Sequence, residues 1–168
     1  MRKTYIFAVF FSLFLTACGD PSSLDGVDSK ITKAEVVQLN GKDVLVLEYR
    51  LKNLWDDASA VSYSMMNLDK ITKWVVDHKA EQGWQDVRWI VMAVYIPVID
   101  NYGNSETELA LNYSFKVSEL EKINWANATS YTVLNLGKFV PETTLGRKAV
   151  KAWCVDKNRE WANHACAR

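Results

Sequence analysis

The chain is short of the residues that most often carry enzyme chemistry, and it has no excess of either charge. Its 168 residues include two histidines, His78 and His164, which leaves histidine-based catalysis little to work with. His78 falls at the edge of a helical apolar stripe, where a partly buried ring with its hydrogen bonds satisfied is the expected role. No serine sits in a Gly-x-Ser-x-Gly elbow and no Ser-x-x-Lys stands out. Twenty basic residues match twenty acidic ones, and without Arg2 and Lys3 the count is 18 against 20, about −2. Such a balance offers nothing to attract nucleic acid, so no nucleic-acid partner is expected. With seven glycines and three prolines, the chain shows no internal repeat and no low-complexity segment beyond residues 19–29. A hydrophobic content of 49%, with 12% aromatic, excludes disorder and suits one globular domain.

What is present begins at the N-terminus. Arg2 and Lys3 precede an apolar run from Tyr5 to Leu15 that is broken only by Ser12. It is too short for a permanent membrane span and has the order of a secretory signal peptide. The run ends in Leu15-Thr16-Ala17-Cys18, which resembles the lipobox of bacterial lipoproteins. The resemblance covers residues 1–18. It implies that Cys18 takes a diacylglycerol, that residues 1–17 are removed and that the new amine is acylated. Two or three acyl chains hold a protein on a membrane far more firmly than one. In enterobacterial lipoproteins an aspartate directly after the cysteine favours the inner membrane. Here that position is Gly19, so the resemblance favours the outer membrane, facing the periplasm. Residues 18–29, rich in Gly, Pro, Ser and Asp, read as a flexible tether, and residues 30–168 as the globular domain.

With Cys18 assigned to lipid, Cys154 and Cys166 remain as an even pair in an oxidising compartment and suit a disulfide. Zinc is the alternative, with His164 and either Asp156 or Glu160 completing the set. The Cys-x9-His-x-Cys spacing is not that of a usual finger or ribbon, so neither metal nor cofactor is expected.

Along the domain, Ile31–Leu39 and Val44–Leu51 read as strands of a hairpin turning at Asn40-Gly41. Residues 53–63 have no strong period. Asn67 is placed to cap a helix running to Gln82, with Gly83 as its stop. Trp89–Ile96 is the longest apolar run and reads as a central strand covered on both faces. Asp100–Asn104 reads as a turn. Its residue types suit calcium, but it lacks the EF-hand period. Thr107–Phe115 alternates as a half-buried strand. Ser118 and Glu121 suit a capping box, Tyr131–Leu136 a short strand, and Pro141 or Thr144 starts a last helix. These elements make the fold class α+β: an antiparallel sheet of about four to five strands with two to three packed helices, in a single domain.

The expected function is non-enzymatic binding by a lipid-anchored envelope protein. The partner is an envelope protein or cell-wall component, in the manner of an exclusion lipoprotein or of an inhibitor of a wall-degrading enzyme. Of seven tryptophans, most are expected in the core. Trp55, in a loop, and Tyr102, in a turn, are the candidates for an exposed binding surface. The rival readings are a periplasmic hydrolase using loop carboxylates (Asp56, Asp57, Asp100, Glu106, Glu108) and a structural part of an envelope assembly.

Overall fold

The computed structural model describes residues 21–99, 102–155, 162 and 166. Cys18, Asp100, Asn101, Asp156, Glu160, Trp161 and His164 lie outside the described residues.

Strands β1 (Ile31–Leu39) and β2 (Lys42–Arg50) form the expected hairpin. Asn40 (φ 52°) and Gly41 (φ 72°) both take the left-handed backbone that a tight two-residue turn requires. The chain then builds α2 (Ser59–Met65) and α3 (Leu68–His78) before β3 (Val87–Ile99), which lies parallel to β2. The sheet is therefore mostly antiparallel rather than wholly so. A connection carrying two helices is long enough to return the chain to the end from which β2 started. Strand β4 (Ser105–Lys116) pairs antiparallel with β3, and β5 (Lys138–Pro141) with β4, giving the order β1-β2-β3-β4-β5 with β3 central. The result is a single α+β domain.

Four local expectations need correction. Residues 59–65 are helical; the inward stripe of α2 (Ala60, Val61, Ser64, Met65) contains a serine, which hides its period in the sequence. Ser64 is buried with its hydroxyl 2.7 Å from the Tyr113 hydroxyl. Tyr131–Leu136 is not a strand: Ser130–Leu136 is helix α5, started by a reciprocal box between Thr129 and Thr132 and seated by buried Val133 and Leu134. Packing overrides the β-branched propensity there. Ser118 lies inside α4 (Val117–Leu120) rather than capping it, and Glu121 instead pairs with Lys79. Helix α3 stops at His78, and Asn67 makes no side-chain cap; its amide N–H donates instead to Asp28.

One apolar core joins the sheet to its helices. Leu45, Leu47 and Tyr49 of β2, Ile90, Met92, Val94 and Ile96 of β3, and Leu111, Tyr113 and Phe115 of β4 face helical residues such as Leu68, Ile71, Leu120, Val133 and Trp153. The last helix, α6 (Thr144–Val155), completes this layer over β4. From Trp89 onward the opposite parity of β3 does not join the core: Trp89, Val91 and Tyr95 are half-buried, and only the small Ala93 is buried. Cover on both faces is thus not what the long apolar run means.

The segment expected to be a tether is folded from Pro21 onward. The Pro21 carbonyl accepts a 2.7 Å hydrogen bond from the Trp74 indole, Leu24–Val27 forms one helical turn (α1), and Leu24 is buried. Asp28 is buried too, accepting hydrogen bonds from the Lys30 backbone N–H (3.0 Å), the Tyr49 hydroxyl (2.8 Å) and the Asn67 amide (3.0 Å). One leucine and one carboxylate suffice to dock a stretch whose composition reads as linker, because each meets a site prepared by distant residues.

Cys154 and Cys166 are placed with Cα atoms 5.6 Å apart and sulfurs at bonding distance. Replacing Cys154 by serine is expected to cost roughly 3 kcal/mol, a fall in Tm of roughly 6–12 °C. Calorimetry with and without reductant checks this, and equal melting in both would show the pair to be without effect.

Candidate binding surface

Because β2 and β3 are parallel, they finish at the same end of the sheet, and the segments after them gather there. The last pairing of β2 to β3 is Arg50 with Tyr95, and the Leu51 N–H reaches the Tyr95 carbonyl at 2.9 Å. Strands β3 and β4 run on together through Pro97–Thr107 to Ile99–Ser105, a two-stranded ribbon beyond the edge of β2. Pro97 falls where β3 no longer has β2 beside it, a position that tolerates proline. At this end Trp55 is 87% exposed, Ile99 75% and Tyr102 91%. Both residues that the sequence singles out for a binding surface are therefore at the solvent, on one end of the domain.

The backbone beneath Trp55 is held firmly. Ser59, itself buried, accepts hydrogen bonds from the N–H groups of Trp55 (3.2 Å) and Asp56 (2.9 Å) through its hydroxyl oxygen. Its own N–H donates to the Asp56 carboxylate at 2.8 Å. Asp56 thereby closes the turn that leads into α2, and the Ser59 hydroxyl and backbone N–H hold its carboxyl below the usual aspartate range. The indole stands exposed on a fixed loop, so little ordering cost remains when a partner covers it.

Arg50 braces the base of the ribbon. Its guanidinium donates to Thr107 of β4 (2.9 Å) and to Glu48 (2.9 Å), and lies 4.6 Å from the centre of the Tyr95 ring. These residues belong to the sheet face that carries no helix. At the other end of that face Lys116 lies over Trp89, 5.5 Å from its ring centre. A cleft of about 570 Å³ opens beside it, mixing Lys42, Arg88 and Lys116 with Asp43, Asp86 and Glu121. Sequence reasoning missed this face. The signal was on the neighbouring strands: Glu48 and Arg50 on β2, and Asn112, Ser114 and Lys116 on β4, alternate outward beside β3.

The remaining candidates have structural employment or no common site. Asp56 holds the turn before α2 through Ser59, while Glu106 and Glu108 stand on the ribbon opposite Val98 and Ile96. His78 stacks on Trp74 with ring centres 4.4 Å apart, and its Nδ1 lies 2.9 Å from the Trp74 carbonyl oxygen. Trp74 and Trp153 are buried, and Trp84, Trp89 and Trp125 are half-buried. Among the described residues no cluster of His, Cys, Asp and Glu could hold a metal, and no helix is long and apolar enough to cross a membrane. No protein-family model, curated protein or solved structure matches the chain.

Proposed function

We propose that this is a lipid-anchored envelope protein that acts by binding another envelope protein through the end of its sheet bearing Trp55, Ile99 and Tyr102. The observation that carries this reading is Trp55, a tryptophan 87% exposed on a backbone pinned by Ser59. Large exposed aromatics on fixed loops are the side chains that dominate protein interfaces, and an indole left in water exposes apolar area to no benefit. The anchor is read from Leu15-Thr16-Ala17-Cys18. A hydrolase built on the loop carboxylates draws less support. A general acid needs its pKa raised, whereas Asp56 is held low by the hydrogen bonds from Ser59.

The test places a photo-crosslinking residue at position 55, 102 or, as a control on α6, 151, in protein expressed in its native envelope. A single defined adduct is expected from 55 and 102 and none from 151. Trp55→Ala and Tyr102→Ala should each weaken capture by roughly thirtyfold, the loss of an interface hot spot of about 2 kcal/mol. Equal labelling at all three positions would remove the proposed surface.

A further inference from the structure

The docking of Pro21 fixes how far the domain can stand from its anchor. Only Gly19 and Asp20 separate Cys18 from Pro21, so the Cα atoms of Cys18 and Pro21 are at most about 11 Å apart. A compact domain of this size has a radius of gyration of roughly 15 Å, so the leash is shorter than the body it holds. The attachment point also lies to one side. Pro21 is bonded to Trp74 of α3, and α1 packs on α3 and β1, at the β1 margin of the sheet. Strand β5 and helix α6 occupy the opposite margin, four strand spacings or about 19 Å away.

We propose that the lipidated domain lies against the bilayer in one orientation, with its β1 margin on the headgroups and the β5–α6 margin away from them. This rests on the lipid anchor at Cys18 proposed for the chain. The surface presented to the lipid is a groove of about 490 Å³ between the docked segment and β1, lined in part by Ser23, Asp25, Thr32, Lys33, Gln82 and the half-buried Trp84. Hydroxyl, amide and indole groups suit the headgroup layer, where tryptophan is enriched; Asp25 and Lys33 leave the groove without net charge, and the acyl chains supply the affinity. With the β1 margin down, the strands run along the membrane plane. The Trp55–Tyr102 end then projects sideways, toward a neighbour in the same membrane rather than toward the periplasmic bulk.

Single engineered cysteines test this in the full-length lipidated protein, reconstituted in phosphatidylethanolamine–phosphatidylglycerol vesicles. Ala34→Cys reports the β1 margin and Lys151→Cys the far one; both positions are exposed. Each carries a nitroxide, and relaxation by a nickel-chelating lipid is measured. The signal at 34 is expected to exceed that at 151 by roughly fivefold. A twenty-residue Gly/Ser spacer between Asp20 and Pro21 adds up to roughly 70 Å of reach and should bring the two within roughly twofold. Equal signals at native length, or an asymmetry that survives the spacer, would overturn the orientation while leaving the anchor intact. A mature protein whose mass shows no lipid on Cys18 would overturn both.

Discussion

Asp28→Ala is expected to destabilise the domain by about 4 kcal/mol, lowering Tm by roughly 8–16 °C. The carboxylate is buried and gathers three separate parts of the chain: Lys30 at the start of β1, Tyr49 on β2, and Asn67 ahead of α3. The Lys30 ammonium adds an ion pair at 3.3 Å. Hydrogen bonds to a charged acceptor contribute more than neutral ones, and alanine leaves the Asn67 amide and the Lys30 N–H without their partner in a closed space. The Tyr49 hydroxyl retains the Tyr63 carbonyl at 3.1 Å, which limits the loss.

The same group sets a pH dependence. Burial pushes the Asp28 pKa up, but the Asn67 amide, the Lys30 N–H, the Tyr49 hydroxyl and the Lys30 ammonium together hold it below the ordinary aspartate value of 3.8. A folded pKa below the unfolded one means stability that is fully present above the unfolded value and is lost as pH falls through the folded one. Wild-type protein should therefore weaken below about pH 4, and Asp28→Asn should flatten that part of the profile. Urea titrations between about pH 2.5 and 7 span that window and measure both effects. A loss of under about 1 kcal/mol for Asp28→Ala would show that residues 21–28 are not docked through this carboxylate.

What the residues reveal in advance and what they hide depend on how local each determinant is. Asn40-Gly41 announces its hairpin because the turn needs only its own two dihedral angles. The core face of β2 is legible for the same reason: Leu45, Leu47 and Tyr49 alternate with a period the sheet imposes on any strand. Trp55 is legible as an exposed candidate because it stands among Asn, Asp and Ser rather than in a periodic segment. The parallel pairing of β2 with β3 is not legible. It depends on α2, whose stripe runs through Ser64, and the buried Ser64 hydroxyl meets the Val61 carbonyl and, 49 residues later, the Tyr113 hydroxyl. Residues 21–28 mislead in the same way: their composition is that of a linker, and the distant Trp74, Tyr49 and Asn67 make a dock of them. The docking of residues 21–28 is thus set by residues far away in the sequence.

Gly146 gives the sharpest such case, and Gly146→Val is expected to cost about 4 kcal/mol or more. By local rules the substitution of glycine inside α6 should help, since replacing glycine by alanine in a helix gains roughly 0.5–1 kcal/mol. Contact with β4 reverses the sign. A Cβ at 146 would fall inside the van der Waals shell of the Ala110 carbonyl oxygen and 2.9 Å from its carbon. Backbone at that point cannot yield cheaply. Ala110 sits in the irregular step between the Val94–Leu111 and Tyr95–Leu109 pairs, and its carbonyl already accepts the Glu142 N–H at 2.8 Å. Turning the carbonyl aside breaks that bond, so α6 must lift from the sheet and take Ala149 and Trp153, both buried, with it. Alanine meets the same clash without the second branch and should cost about 3 kcal/mol despite its better helix propensity. Denaturant unfolding followed by tryptophan fluorescence distinguishes the cases. If Gly146→Ala left stability unchanged or raised it, α6 would not cross β4 at backbone contact, and the place of Cys154 beside that margin would have to be redrawn.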